Sequence, residues 1–189
     1  MEVRSIDRTQ FGAKLISPAK VKYKAGKYWK DLDVSFIKFE TTKVTDRSKL
    51  DAVSYIWDGR NLSKSIAEEA NILGGKSNIY GLTLQKTDFD NILPDHILGL
   101  VSTGKVKNAQ DGVEIFKIGT NPKFAYEQKR RSRDIKHIAA TLLDSLRALA
   151  GGKKSPKLYA NYANPEEIKF LNRVGIEPRS TEAVEVIGK

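Results

Sequence analysis

The sequence predicts an α+β domain of three layers: a mixed, mostly antiparallel sheet flanked by helices, in the order β-α-α-β-β-β-α-β-α-β. Three observations carry this expectation. Segments 78–85 (NIYGLTLQ), 96–106 (HILGLVSTGKV) and 112–120 (GVEIFKIGT) read as strands joined by short polar links, which suits an antiparallel meander. Ile135, Ile138, Ala139, Leu142, Leu143, Leu146, Leu149 and Ala150 then recur at helical period and make a wide apolar stripe. A strand-like run, 157–163 (KLYANYA), follows that helix. The strands at 112 and 157 are thus joined by a helical crossover and run parallel.

The elements follow in order. Residues 1–30 form a basic N-terminal extension, in which AKVKYKAGKYWK alternates Lys with apolar residues around Ala-Gly and suggests a cationic hairpin packed on the domain. The domain proper spans 31–189. DVSFIKFE (33–40) is a strand, although adjacent Phe36 and Ile37 spoil a clean alternation. Thr45 is read as the cap of a helix with Leu50, Val53, Ile56 and Trp57 inward. Asn61 opens a second helix with Leu62, Ile66, Ala70 and Leu73 inward, stopped by Gly74 and Gly75. After the meander, a loop of about 14 residues leads to the striped helix, whose start is expected near Asp134. Asn164 caps the last helix, with Pro165 at its first position and Glu166 and Glu167 in its first turn; Gly175 ends it. EAVEVI (182–187) can close the sheet.

The totals narrow the function classes. The 189-residue chain is 40% hydrophobic, enough for a real core in one domain. It has no cysteine, which excludes disulfides, thiolate-bound metal and a cysteine nucleophile; two histidines, His96 and His137, do not suffice for a histidine-built metal site. No apolar run approaches the roughly 18 residues of a membrane span, and the start lacks a secretory segment. The expectation is a cytoplasmic protein without a membrane partner. A formal net charge of +10 favours anionic partners.

That charge is densest in KRRSRDIK, where Lys129, Arg130, Arg131, Arg133 and Lys136 occupy five of eight positions just before the striped helix. The first amides of a helix lack intrahelical partners and make an anion site. Two glycine-rich segments compete for the phosphate. ANILGGKS (70–77) follows a helix and precedes a strand, the reverse of what a phosphate loop needs. GLVSTGKV (99–106) ends in Val106 where a metal-ligating hydroxyl belongs.

The strand, basic loop and helix, taken with NPEEIKFLNRVGI, resemble the GNAT superfamily of acyl-CoA-dependent N-acetyltransferases. The family's loop pattern, Arg/Gln-x-x-Gly-x-Gly/Ala, aligns with Asp134–Ala139. Ala139 matches, His137 stands at the first glycine and Asp134 at the Arg or Gln. In the family's late pattern, Asn-x-x-Ala-x-x-Phe-Tyr-x-x-x-Gly-Phe, Asn164, Phe170 and Gly175 are identical, Glu167 replaces Ala and Ile176 replaces the last Phe. The resemblance covers the chain from about residue 33.

The resemblance implies that the strands at 112 and 157 splay into a slot for acetyl-CoA. The pantetheine arm would run along Phe116 to Thr120, touching Ile118 and Gly119. The pyrophosphate would meet the amides of residues 135 to 140, among them Lys136, His137, Ile138, Ala139 and Ala140, backed by Arg131 and Arg133. Asn164 and Phe170 would touch the thiol end and the pantetheine; each also has a structural role, as helix cap and core residue. Acetylation needs a neutral amine, so Glu114, expected on one face with Phe116 and Ile118, is a candidate base. Many relatives use a tyrosine as acid where this chain has Leu171. Tyr159, Tyr162 or Tyr126 would then substitute, or the thiolate leaves unassisted, or no acetylation occurs. Tyr159 and Tyr162 fall on opposite strand faces.

The acceptor amine, whether of a small molecule, a peptide or an aminoacyl-tRNA, is not legible, nor is a homodimer decided. The alternatives are a nucleic-acid-binding module using the basic loop and hairpin, and a catalytically silent coenzyme A-binding or interaction domain.

Overall fold

The alternating lysines around Ala25 and Gly26 form a hairpin that is hydrogen-bonded into the main sheet. β1 (Lys14–Ala25) pairs antiparallel with β2 (Tyr28–Phe39), from Lys14↔Lys38 to Ala25↔Tyr28. Gly26, first in the two-residue loop, has φ +62°, the sign a II′ hairpin turn requires there. The computed structural model describes residues 12–57, 66–67, 77–104, 106, 112–124, 134–151, 156–162 and 165–180.

The fold is α+β. α1 (Val44–Ile56) leads to β3 (Asn78–Thr83), β4 (Ile97–Thr103), β5 (Val113–Thr120) and a two-residue β6 (Ile135–Lys136). α2 (Ile138–Ala150), β7 (Leu158–Tyr162), α3 (Pro165–Arg173) and β8 (Glu177–Ser180) complete it. The eight strands form one sheet in the order β6-β1-β2-β3-β4-β5-β7-β8. Among the described residues, only β5/β7 and β7/β8 are parallel. The expected order therefore requires correction: β1 and β6 are additional strands. Of the expected helix at 61–73, only Ile66 and Ala67 are described; they are helical and buried.

Both faces of the sheet are covered, which is why Phe36 and Ile37 are both apolar. Phe36 packs with Leu82, Val101, Ile115 and the α2 residues Ile138, Leu142, Leu143 and Leu146. Ile37 packs on the other face with Phe39, Ile79, Leu100 and the α1 residues Leu50 and Val53, closed by Trp57. Burying each such side chain stabilises by about 1.5–3 kcal/mol.

Several boundaries differ from expectation. Thr45 is not a cap: α1 starts at Val44 after Lys43, and no side chain caps it. Asp46, fully buried, instead accepts the Glu40 N–H at 2.7 Å and ties the helix start to the end of β2. Ile56, expected inward, is 48% exposed. α2 begins at Ile138, not near Asp134, because His137 takes a left-handed conformation (φ 70°, ψ 15°) that interrupts helical geometry. Ile135 keeps its place against the core, but from a strand. The strand paired to β7 is Glu177–Ser180; the segment expected to close the sheet, 182–187, lies outside the described residues.

The end of α3 is a Schellman motif. Gly175 (φ 74°) donates its N–H to the Asn172 carbonyl at 3.2 Å, and Ile176 donates to the Leu171 carbonyl at 2.9 Å. Leu171 and Ile176 meet in the α2-side core, the apolar contact that accompanies this motif.

Candidate functional site

Among the described residues, the parallel strands β5 and β7 share two residue pairs, Val113↔Leu158 and Glu114↔Tyr159. Past that point β5 runs on to Thr120 along β4, while β7 runs on to Tyr162 along β8. The strands part because β5 carries a bulge. The β4 register steps from Ser102↔Lys117 to Thr103↔Ile115 and leaves Phe116 without a partner. A bulge bends its strand and increases its twist.

The bulge also changes which side chains share a face. Ile118 pairs with Val101, and both belong to the α2-side core together with Ile115. Glu114 and Phe116 face the other way: a Cβ at Gly104 would stand 3.7 Å from Glu114 Cβ and 3.7 Å from Phe116 Cζ. The expectation that Glu114, Phe116 and Ile118 lie on one face is therefore corrected. Phe116, 43% exposed, is left on the α1 side of the sheet beside Glu114.

Glu114 and Tyr159, singled out separately, are cross-strand partners. Their neighbours Val113 and Leu158 point into the α2-side core, so Glu114 and Tyr159 point to the opposite face. The Arg179 guanidinium stands over the Tyr159 ring, 3.5 Å from its centroid. Gly112 borders the ring on another side: a Cβ there would lie 3.3 Å from Tyr159 Cε1 and only 2.6 Å from the Lys157 carbonyl oxygen.

The start of α2 lies against the far end of β5. A Cβ added to Gly99 would be 2.8 Å from Ile138 Cγ2 and 3.2 Å from the Gly119 carbonyl oxygen. Gly99 pairs with Thr120. Ile138 thus lies over β4 beside Gly119, while Thr141 in the same turn donates its hydroxyl to the Lys20 carbonyl of β1 at 2.9 Å. The first intrahelical bond runs from Thr141 N–H to the His137 carbonyl at 2.9 Å, so Ile138, Ala139 and Ala140 carry the amides without an intrahelical acceptor. Asn121 steadies this end. It is buried, donates Nδ2 to the Ile97 carbonyl at 3.1 Å and accepts the Lys123 N–H at 3.0 Å.

Not every candidate gathers here. Ile135 and Lys136 are laddered to β1 through Tyr23 and Lys22, which corrects the helical register expected for 135–140. The Lys136 ammonium lies 4.0 Å from the Trp29 ring centroid. His137 and Ala140 are exposed at the helix start, and Ala139 is half-buried. Phe170 is half-buried on α3, packed against the core with Arg173 over its ring. Leu171 is buried in that core. Arg131, Arg133, Asn164 and Tyr126 lie outside the described residues, as does the Tyr162 side chain.

Arg179 and the Phe116 bulge escaped the sequence reading. The bulge does leave a trace: inward residues fall at 113, 115 and 118, and the step of three breaks the period of two. Arg179 leaves none, because its strand, EPRS, has no β-forming pattern.

Among the described residues, no helix is long and apolar enough to cross a membrane, and no cluster of acidic or histidine side chains is arranged to hold a metal ion. Comparison with family models, with curated proteins and with solved structures gives no match to this chain.

Proposed function

We propose that the chain is an acetyl-CoA-dependent N-acetyltransferase of GNAT-like arrangement, acting on a primary amine. The observation that carries this reading is the parting of β5 and β7 after Glu114↔Tyr159, with Ile138 at the start of α2 lying over Gly99 on the neighbouring β4. A thioester arm could lie between the parted strands and bond to backbone that no longer serves a ladder. A diphosphate could take the amides of Ile138, Ala139 and Ala140, helped by the positive end of the helix. The left-handed backbone of His137 agrees with the resemblance, since the family has glycine there.

In this reading the amine nitrogen attacks the thioester carbonyl carbon, and the carbon–sulfur bond breaks. Glu114 takes the amine proton, and Tyr159, held by Arg179, returns a proton to the leaving sulfur. Leu171 takes no part; its side chain completes the helix stop.

Calorimetric titration with acetyl-CoA tests the proposal. Saturable binding at or below millimolar concentration is expected, and its absence sinks the reading. Given an accepted amine, Glu114→Gln should lower kcat by about 10²-fold or more while the KM for acetyl-CoA stays unchanged. Binding without turnover on any amine would leave a coenzyme A-binding domain and defeat the enzyme assignment.

A further inference from the structure

The β1–β2 hairpin is longer than the sheet requires. β2 pairs with β3 only over Ser35–Phe39, yet it pairs with β1 back to Tyr28. The middle of the extension has a packing role: Val21, Leu32, Tyr23 and β6 Ile135 cover the α2-side core. The tip has little. Lys24, Lys27, Tyr28, Trp29 and Lys30 are all exposed, Tyr28 by 74% and Trp29 by 38%. Core packing therefore does not explain two large aromatic rings and three lysines at this turn.

Charge pairing sharpens the point. The hairpin's aspartates are engaged lower down, where Asp31 pairs with Lys22 at 2.5 Å and Asp33 lies 3.9 Å from Lys20 and 3.8 Å from Lys86. Among the described residues, no carboxylate pairs with Lys24, Lys27 or Lys30. Lys24 is the cross-strand partner of Trp29, and Lys136 of β6 adds its ammonium over the same ring. The tip thus presents an aromatic ring with cations on each face of the hairpin, Trp29 with Lys24 and Lys136 on one and Tyr28 with Lys30 on the other, on a chain of net charge +10.

We propose that this tip docks single-stranded nucleic acid, with Tyr28 and Trp29 stacking bases and Lys24, Lys27, Lys30 and Lys136 meeting phosphates. Charge complementarity alone would admit a duplex, but a duplex hides its base faces and leaves the two rings without a role. Unstacked bases offer a π-face at every position, and sequence-tolerant stacking on aromatic side chains follows. The surface acts independently of acetyl transfer.

The test is fluorescence titration of the full chain with oligouridylate about 15 nucleotides long at about 50 mM salt. Trp57 is 3% exposed, so quenching on binding reports Trp29. We expect saturable quenching, a stronger response to the single strand than to a duplex of equal length, and about a thirtyfold or greater loss of affinity in the Tyr28→Ala, Trp29→Ala double variant. Replacing Lys24, Lys27 and Lys30 by Gln should reduce the slope of log affinity against log salt by about 2. No binding at low salt overturns the proposal. So does binding without a change in tryptophan emission, a readout that needs no variant to fold. Equal affinity for heparin, duplex and single strand, unaffected by the aromatic changes, likewise overturns it.

Discussion

Gly99 lies beneath Ile138 so closely that a methyl group on the glycine would stand 2.8 Å from Ile138 Cγ2 and 2.8 Å from Leu142 Cδ1. The first turn of α2 can rest on the β4–β5 backbone only because position 99 has no side chain. The same contact holds the free amides of Ile138–Ala140 near the end of β5.

Gly99→Ala should therefore overpack the helix–sheet contact and cost about 1–3 kcal/mol in denaturant unfolding. Gly104→Ala is the control: its added Cβ would meet its nearest neighbours at 3.7 Å, and the expected change is within about 0.5 kcal/mol. If the proposed acetyl-CoA site is right, Gly99→Ala also weakens acetyl-CoA binding, since the helix start is pushed away from β4. Equal stability of the two variants would mean that α2 has room to lift.

Leu171→Tyr tests what occupies the position where relatives carry an acid. The Leu171 side chain meets Ile176 in the core, and its carbonyl accepts the Ile176 N–H at 2.9 Å. A phenol there must either overfill the core or leave it, at a cost of about 1–3 kcal/mol. Thermal denaturation should show a lower melting temperature and no gain in kcat. A gain in acetylation would mean that residue 171 faces the substrate.

Alkaline stability should report on Tyr80. It is 4% exposed and stacks on Phe36 with centroids 5.4 Å apart. Burial first, then the nearby Glu40 carboxylate, pushes its phenol up to about 12 from 10.0. The folded state thus holds the phenolic proton more tightly than the unfolded chain does. This contribution is complete below pH 10 and is lost as pH rises from about 10 to about 12. Tyr80→Phe keeps the stack and has no proton to lose. Its stability relative to wild type should rise by about 1 kcal/mol between neutral pH and pH 11, measured by urea unfolding. Parallel pH profiles would show that the phenol titrates alike in both states.

What could be read in advance depended on how many faces of an element are buried. α2 has one apolar stripe, so its period was plain. Its start was not, because Ile135 continues the stripe toward the same core from a strand, and the left-handed His137 between them has no signature in side-chain polarity. β2 contributes to both cores through Phe36 and Ile37 and shows no alternation. β1 contains Pro18 and a register shift between Leu15 and Ser17, features that argue against a strand in sequence yet are tolerated where one side of the strand is open. Glu114 and Tyr159 were legible as candidates from their strands. Their pairing was not, since it depends on the parallel register of strands separated by a helix.

His137 offers the last test, since its backbone is costly for any residue but glycine, asparagine or aspartate. At φ 70° its side chain crowds its own backbone, and no side-chain hydrogen bond caps the helix in return. His137→Gly relieves the strain but loosens the unfolded chain, so the two effects oppose and the net change should lie between zero and about 1 kcal/mol of stabilisation. A β-branched residue tolerates this conformation far worse, and His137→Val should cost about 1–2 kcal/mol in thermal unfolding. Acetyl-CoA binding divides the two variants further under the proposed function: the glycine variant keeps the amides of Ile138–Ala140 in place and binds at least as well as wild type, while the valine variant binds more weakly. If valine proves as stable as histidine, the left-handed turn is not held by its surroundings. The anion site at the start of α2 would then lose the fixed geometry on which its selectivity for a diphosphate depends.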